Sequence, residues 1–306
     1  MAARVALYFI AAVSAVYLAM LLALFVMQRS LLFPAPPDVA GKPGGFSAVR
    51  LQTEDGIRLA AAWRQGSAAK PTILFFHGNG DSLSGAEVAT RTIAGAGYGV
   101  LLAEYRGYAG NPGSPSEQGL YRDGRAALAW LEERGIAPGC VVVVGNSIGT
   151  GVATEIAARA PVAGLVLVSG FTSLPDVIAP LYRWLPVRML LRDRFDNRSK
   201  IASVKAPILL LHGTADTLIP ARHSVALSRA ARNTRLALVP GAGHELAYSA
   251  QSQATIVRWL AQVGRSCPTG VQAGGAESRA AASQSGTSAS PIASMRRSST
   301  IRPSSG

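Results

Sequence analysis

Short apolar runs alternate with longer amphipathic stretches along most of this chain. The short runs are rich in β-branched residues and predict strands, while the longer stretches repeat apolar residues at helical spacing. The predicted strands are 48–52, 57–63, 72–76, 100–104, 141–145, 165–169, 208–211 and 236–239, and the predicted helices are 83–96, 118–134, 147–160, 222–232 and 245–263. This alternation predicts an α/β fold with a mostly parallel eight-stranded sheet and helices on both faces.

The N-terminal region has a different pattern. Residues 5–27 are uncharged and predominantly apolar, and Arg4 and Arg29 bracket them. A helix of that length measures about 34 Å, which is enough to cross a hydrocarbon core of about 30 Å. A cleaved signal peptide is the alternative, but its apolar region is shorter and ends in a small-residue cleavage site. We therefore predict one transmembrane signal-anchor helix, with the following domain on the non-cytoplasmic side of the membrane.

Composition divides the rest of the chain into three parts. Residues 28–46 are rich in proline and glycine and predict a linker, and residues 47–264 carry the alternating pattern of the α/β domain. Within that domain, residues 175–200 are rich in leucine and arginine and predict a small helical cap. Apolar residues of this cap, such as Leu181 and Trp184, fit either lipid contact or ordinary core packing. Residues 265–306 are rich in serine, alanine and glycine and predict a disordered tail.

The net charge of +13 narrows the choice of partners. Nucleic-acid binding is one interpretation of such an excess, but no basic helix or aromatic-rich basic segment accompanies it. We favour no nucleic-acid partner and treat attraction to anionic lipid headgroups as the better second interpretation. The two cysteines, Cys140 and Cys267, show neither a disulfide framework nor metal-ligand spacing, so we expect no metal site.

A G-x-S-x-G sequence, Gly145-Asn146-Ser147-Ile148-Gly149, directly follows the apolar run 141–144 and precedes a helical pattern. A sharp turn between a buried strand and a helix holds a serine hydroxyl exposed, and glycines let the backbone bend there. This context predicts Ser147 as a catalytic nucleophile, supported by Gly145 and Gly149.

Two downstream residues complete a candidate triad. Asp216 lies just beyond the predicted strand 208–211, and His244 lies just beyond the strand 236–239. The order Ser–Asp–His, with each residue in a loop at the carboxyl end of a strand, is that of the α/β-hydrolases. Parallel strands bring such loops to one side of the sheet. We predict that His244 takes the proton of Ser147 and that Asp216 orients the imidazole.

The negative oxygen of a tetrahedral intermediate requires hydrogen-bond donors. One predicted donor is the backbone N–H of Ile148, directly after the nucleophile. The other is the backbone N–H of Asn79 in the loop after strand 72–76, where Gly78 and Gly80 permit close approach. We expect His77 to hold this loop through hydrogen bonds. Of the remaining histidines, we expect His212 to be a structural residue at a strand end and His223 to be a surface residue at a helix start.

Several motifs in combination resemble one known family. They are His77-Gly78-Asn79-Gly80, Glu104-Tyr105-Arg106-Gly107-Tyr108, Gly113-Ser114-Pro115-Ser116-Glu117, the G-x-S-x-G sequence and Gly241-Ala242-Gly243-His244. Together they resemble the membrane-anchored serine-hydrolase branch of the α/β-hydrolase superfamily, which includes serine-aminopeptidase-like and depalmitoylase-like members. The chain departs from the usual pattern at Ile148, at Ala109, where glycine is common, and at Glu245, where asparagine is frequent.

The resemblance implies hydrolysis of an ester, thioester or amide without a metal or organic cofactor. We favour a membrane-anchored serine hydrolase that cleaves a carboxylic ester or thioester of a small-molecule or lipid-linked acyl substrate. A serine peptidase of the aminopeptidase-like class is the alternative. A catalytically silent, membrane-tethered binding scaffold is a third possibility, but its signature would be a missing triad residue. The sequence leaves the acyl-chain length and the oligomeric state open.

Overall fold

The computed structural model describes residues 1–35 and 43–263. The strands are β1 (Ser47–Gln52), β2 (Arg58–Arg64), β3 (Thr72–Phe76), β4 (Gly99–Ala103), β5 (Val141–Asn146), β6 (Gly164–Val168), β7 (Ile208–Gly213) and β8 (Thr234–Val239). The helices are α1 (Ala2–Leu32), α2 (Leu83–Gly95), α3 (Glu117–Glu132), α4 (Gly149–Arg159), α5 (Leu174–Ile178), α6 (Val187–Leu190), α7 (Asn197–Ile201), α8 (Arg222–Ala230) and α9 (Ala250–Val263). Two short 3-10 helices, Pro138–Cys140 and His244–Tyr248, complete the described secondary structure.

All eight strands form one sheet in the order β1-β2-β4-β3-β5-β6-β7-β8. The pairs β1–β2 and β2–β4 are antiparallel, and every other pair is parallel. The central strand β5 pairs with β3 on one side and with β6 on the other. The predicted fold class is therefore confirmed, and the carboxyl ends of β3, β5, β6, β7 and β8 all lie at one edge of the sheet.

Helices cover both faces of this sheet. Alternate residues of β5 point to opposite sides, because successive side chains of a strand do so. Val141 and Val143 join a core that contains buried residues of α3, α4 and α8. Val142 and Val144 join a second core with α2 and α9. Burial on both faces explains why β5 is a continuous apolar run without polar alternation.

Helix α1 continues further than the sequence predicts. Residues 28–32, assigned to the linker, are the last turn of α1, and Phe33 is buried against the catalytic domain. Within the described residues, α1 is long and apolar enough to be a candidate membrane span, with a mean hydropathy of 2.6 over its most apolar window. The linker therefore starts later than its composition suggests.

Two further differences concern the C-terminal half of the domain. The predicted helix 245–263 is divided at Ser249 into the second 3-10 helix and α9. The cap consists of the short helices α5, α6 and α7, joined by irregular segments. The predicted tail, together with residues 36–42 of the predicted linker, lies outside the described residues.

Candidate active site

Ser147 occupies a sharp turn between β5 and α4. Its φ is +51°, a left-handed conformation that is rare for residues with a side chain, and its amide donates to the carbonyl of Val168 at 3.0 Å. The neighbouring glycines are required by close backbone contacts. A Cβ on Gly145 would lie 2.5 Å from the carbonyl oxygen of Gly149, and a Cβ on Gly149 would lie 2.2 Å from that of Phe76. The G-x-S-x-G sequence thus allows the sharp turn on which Ser147 lies.

The structure brings the three predicted triad residues together. The Nε2 of His244 lies 3.1 Å from the Oγ of Ser147, and its Nδ1 lies 2.8 Å from Oδ2 of Asp216. Ser147 and His244 are 97 positions apart in the sequence. This arrangement allows an imidazole to accept a proton from the hydroxyl while a carboxylate fixes its tautomer.

The carboxylate of Asp216 is buried and held by the loop after β7. Its Oδ1 accepts hydrogen bonds from the amides of Leu218 and Ile219, at 3.0 and 2.8 Å. The Nε2 of His212 lies 3.3 Å from Oδ2 and 2.7 Å from the carbonyl oxygen of Ile219. Burial lowers the pKa of the His212 imidazole, although the Ile219 carbonyl and Asp216 favour its protonation. His212 is thus a structural residue at the end of β7 that also contacts Asp216, a contact that the sequence did not indicate.

The loop after β3 carries the predicted oxyanion donor and lies beside the serine. A Cβ on Gly78 would lie 3.6 Å from the Cβ of Ser147. Among the described residues, no acceptor receives a hydrogen bond from the amide of Asn79 or from the amide of Ile148. Unpaired amides close to a hydroxyl nucleophile are available to a substrate oxygen.

A buried histidine–glutamate pair fixes this loop. The Nε2 of His77 lies 2.6 Å from Oε1 of Glu104, and its Nδ1 lies 2.8 Å from the carbonyl oxygen of Gly78. Burial opposes protonation of His77, but the charge and hydrogen bond of Glu104 outweigh it and raise the pKa of the imidazole. The hydroxyl of Tyr105 donates to the carbonyl of His77 at 2.9 Å. Each of these contacts restrains the backbone of the loop that carries Asn79.

The side chain of Asn79 has two partners outside the loop. Its Oδ1 accepts a hydrogen bond from the hydroxyl of Tyr108 at 2.6 Å, and its Nδ2 donates to the carbonyl of Leu32 at 2.6 Å. Leu32 is the last residue of α1. The loop that carries the predicted oxyanion donor is therefore hydrogen-bonded to the end of the N-terminal helix. No local sequence pattern predicts this contact.

His223 does not have the position that the sequence predicts. It begins α8 as expected, but it is buried, and its Nδ1 lies 2.9 Å from the hydroxyl of Thr172. Burial lowers the pKa of the His223 imidazole, and the charge of Arg222 adds to the effect. The prediction of a surface residue was wrong because the loop after β6, which carries Thr172, packs against this end of α8. In the described part of the chain, no group of three or more His, Cys, Asp or Glu side chains is arranged to hold a metal ion.

Known proteins resemble this chain in both sequence and fold. Residues 71–199 match the family described as the alpha/beta hydrolase fold. An uncharacterized protein of Mycobacterium tuberculosis is 40% identical over 249 residues, which are 78% of this chain and 88% of the relative. The human alpha/beta hydrolase domain-containing protein 17B is 36% identical over 200 residues, 63% of this chain and 67% of the relative.

Two further matches carry functional names of their own. The lysophosphatidylserine lipase of Danio rerio is 30% identical over 209 residues, covering 56% of this chain and 54% of the lipase. The Pyrococcus furiosus esterase structure superposes with a TM-score of 0.57 at 21% identity, covering 75% of this chain and 95% of the esterase. At that identity the esterase supports the fold alone. The sequence matches and the observed sheet together establish that the chain belongs to the α/β-hydrolase superfamily.

Proposed function

We propose that this protein is a membrane-anchored serine hydrolase that cleaves a carboxylic ester or thioester through an acyl-enzyme intermediate. The observation that carries the proposal is the contact of one imidazole, His244, with both the Ser147 hydroxyl and the Asp216 carboxylate. The three residues lie on three separate loops at one edge of the sheet, in the hydrogen-bonded order that a serine triad requires.

In the proposed reaction, the Oγ of Ser147 attacks the acyl carbonyl carbon and its proton passes to Nε2 of His244. The C–O or C–S bond then breaks, the alcohol or thiol leaves with that proton, and the acyl group remains on Ser147. Water, deprotonated by His244, attacks the acyl carbon. The bond from that carbon to the Oγ of Ser147 then breaks, the imidazolium returns its proton to Oγ, and the carboxylic acid leaves. Asp216 holds the imidazole in the tautomer whose Nε2 can accept the proton.

The amides of Asn79 and Ile148 would stabilise the negative oxygen of each tetrahedral intermediate. Both are unpaired among the described residues, and each lies next to a backbone segment that contacts Ser147. A single donor of this kind contributes about 2.7–4 kcal/mol to catalysis. The fixed positions of His77 and Asn79 keep the loop from rearranging when charge develops.

Support for an ester rather than an amide comes from the lysophosphatidylserine lipase among the relatives. Cleavage of an amide requires protonation of the leaving nitrogen by a precisely placed acid, a demand that an ester or thioester does not make to the same degree. Helix α1, with a mean hydropathy of 2.6 over its most apolar window, supports attachment to a membrane and therefore a lipid-linked acyl substrate.

The test uses an activity-based fluorophosphonate probe on the full-length protein in detergent. We expect covalent labelling of the wild-type protein and none of Ser147→Ala, because the probe reacts only with an activated serine. Ser203→Ala, an exposed serine after α7, is the matched control and should label normally. A folded wild-type protein that fails to label would refute the proposal. A series of p-nitrophenyl acyl esters, acyl thioesters and aminoacyl amides then separates esterase, thioesterase and peptidase activity.

A further inference from the structure

The cap presents a cluster of exposed apolar side chains. Leu181, Tyr182, Trp184 and Met189, which we call the cap patch, are 64%, 46%, 57% and 86% exposed. Beyond residues 1–32, the described residues include only two other exposed large apolar side chains, Leu218 and Leu238. Exposed apolar residues are common singly, but their concentration within a nine-residue stretch marks an interaction surface.

Helix α1 packs along this same part of the cap. The hydroxyl of Tyr17 donates to the carbonyl of Trp184 at 2.8 Å. About three turns further along α1, the buried side chain of Gln28 donates to the carbonyl of Leu190 at 3.3 Å and accepts from the amide of Arg192 at 2.8 Å. From Tyr17 to Gln28 a helix rises about 16 Å, so these contacts follow α1 over about a third of its length.

This contact places a limit on where the membrane can lie. If the whole cap remained in water, only residues 2–16 of α1 would be left to cross the membrane. That segment would be about 22 Å long, which is shorter than a hydrocarbon core of about 30 Å. A membrane-spanning α1 therefore requires the part of the cap that contacts Tyr17 to enter the membrane with it.

We propose that the cap patch is a docking surface for a lipid bilayer, and that it inserts into the leaflet from which α1 emerges. The inference rests on the membrane attachment given under the proposed function, but not on the reaction. Tryptophan and tyrosine favour the boundary between headgroups and acyl chains, while Leu181 and Met189 suit the acyl region itself.

The charged residues around the cap patch also favour contact with a lipid bilayer. Between Asp176 and Asp193 the chain has three arginines and no acidic residue: Arg183, Arg188 and Arg192. Arg188 pairs with Asp176 at 2.8 Å, so the excess of positive charge comes from Arg183 and Arg192. Arginine extends its charged end toward the headgroup phosphates while its stem stays in apolar surroundings. The guanidinium of Arg192 lies 5.5 Å from the ring centroid of Phe25 in α1, at the end of the helix nearest the domain. A bilayer with anionic headgroups matches this arrangement better than a neutral one.

Docking of this kind brings the candidate active site close to the membrane. The last turn of α1 contacts the cap through Gln28 and contacts the loop of Asn79 through Leu32. Phe33 then packs on Phe195 with ring centroids 6.3 Å apart. The end of α1 thus contacts both the cap and the loop of Asn79, and docking would place both beside the bilayer. From there the candidate active site could reach a substrate whose acyl chain remains in the lipid.

The test measures the membrane depth of Trp184 in the full-length protein. The protein is reconstituted in vesicles of phosphatidylcholine and phosphatidylglycerol, with and without bromine on the acyl chains, which quenches nearby tryptophan fluorescence. We expect brominated vesicles to quench part of the emission and Trp184→Phe to remove most of that quenchable part. Trp63, Trp130 and Trp259 supply the remaining emission. Trp184 is exposed and uses only its carbonyl to bind Tyr17, so this variant should fold normally.

The matched control replaces an exposed leucine outside the cap patch with a tryptophan reporter. Leu238→Trp, combined with Trp184→Phe, puts a tryptophan on β8, outside the cap. We expect this reporter to be quenched by aqueous acrylamide and not by brominated lipid. Resistance of Trp184 to brominated lipid together with quenching by acrylamide would overturn the proposal.

Two additional measurements distinguish failure of the membrane anchor, of the docking surface and of the proposed reaction. Retention of the protein in carbonate-washed vesicles tests the attachment of α1, and fluorophosphonate labelling tests the reaction independently. Retention without lipid quenching of Trp184 would refute the docking surface while leaving the anchor intact. Loss of the protein in the wash would refute both. Protection of Trp184 from both quenchers, with a dimer in sedimentation analysis, would show that a second copy covers the patch instead.

Discussion

Arg29 and Asp193 are 164 positions apart in the sequence and form a two-point ion pair. The Nε of Arg29 donates to Oδ2 at 2.8 Å and a terminal nitrogen donates to Oδ1 at 3.2 Å. Asp193 is buried, and its Oδ1 also accepts from the amide of Glu117. The pair therefore connects α1 to the cap and to the start of α3.

Loss of this pair should destabilise the protein measurably. Arg29→Met keeps the apolar stem but leaves a buried carboxylate with a single amide donor, and we expect the free energy of unfolding to fall by about 1–3 kcal/mol. Chemical denaturation in detergent micelles measures the change. The exposed pair of Arg91 and Glu87 on α2 is the control, and Arg91→Met should cost about 0.5 kcal/mol or less. Equal effects of the two variants would contradict the structural role of Arg29.

The role of Asp216 in selecting the tautomer of His244 can be tested by Asp216→Asn. The amide nitrogen of asparagine would donate to Nδ1 of His244, so the ring proton would move to Nε2, and the base could no longer accept the proton of Ser147. By analogy with other serine triads, we expect kcat to fall by about 10⁴-fold with the fold intact. Hydrolysis of a p-nitrophenyl ester measures the loss.

Glu245→Gln is the control for this substitution. Glu245 is an exposed carboxylate directly after His244, and its removal should leave kcat nearly unchanged. If Asp216→Asn retained wild-type activity, the proposed orientation of the imidazole would be wrong.

The close approach of Gly149 to β3 predicts a severe effect of a single methyl group. In Gly149→Ala the new Cβ would meet the backbone oxygens of Phe76 and His77 at 2.2 and 2.7 Å. Backbone atoms of a central strand cannot move aside, so we expect a loss of about 1–3 kcal/mol in stability and of most esterase activity. In the control Gly95→Ala, nothing lies within 4 Å of the new Cβ, and the protein should keep its activity and stability. Normal activity of Gly149→Ala would show that activity tolerates displacement of the backbone at Phe76 and His77.

Ala109 is expected to be a strained position that glycine would relieve. Its φ is +48°, where an L-residue with a Cβ is disfavoured by roughly 1–2 kcal/mol. Ala109→Gly removes this strain but adds about 0.4–1 kcal/mol of chain entropy to the unfolded state. The strain is the larger effect, so we expect a net gain of about 0.5 kcal/mol, measured by denaturation. Ala129→Gly, at an exposed position in α3, should instead cost about 1 kcal/mol. A loss in both variants would show that Ala109 is unstrained.

Two buried histidines should give the stability opposite dependences on pH. The pKa of His77 is raised in the folded state, so its contribution is present below pH of about 6.5 and is lost as the pH rises through the folded pKa. The pKa of His223 is lowered, so its contribution is present above that value and is lost as the pH falls. We expect His77→Gln to flatten the decline of stability at alkaline pH.

The companion variant His223→Gln should flatten the decline at acidic pH. Unfolding midpoints measured across both ranges, with each variant as the control of the other, provide the comparison. The same change of slope in both variants, or none in either, would contradict the opposite shifts of the two pKa values.

The strands and the residues around Ser147 could be predicted from the sequence because their patterns are local. The run 141–144 is apolar at every position because β5 is buried on both faces, and the glycines around Ser147 follow from its turn. The sequence also identified Asp216 and His244, since both immediately follow strands. Their catalytic role stays a prediction until the serine is labelled.

The errors have a common physical origin. His223 was assigned to the surface because a polar residue at a helix start is usually exposed, but the loop after β6 covers it through Thr172. Residues 28–32 were assigned to a linker, although the contacts of Gln28 with the cap favour their continuation as helix. In both cases the deciding partner is distant along the chain and leaves no local pattern.

By itself, the sequence determined which segments are strands and helices, which serine lies on the sharp turn, and which helix is apolar enough for a membrane. These follow from side-chain periodicity and backbone geometry, which act over a few residues. Only the tertiary structure decided that α1 is held by Asp193, that Leu32 contacts Asn79, and that Tyr17 reaches Trp184. Those contacts join residues that are far apart along the chain. A hydrogen bond between them depends on their distance in the folded structure, which no local sequence pattern specifies.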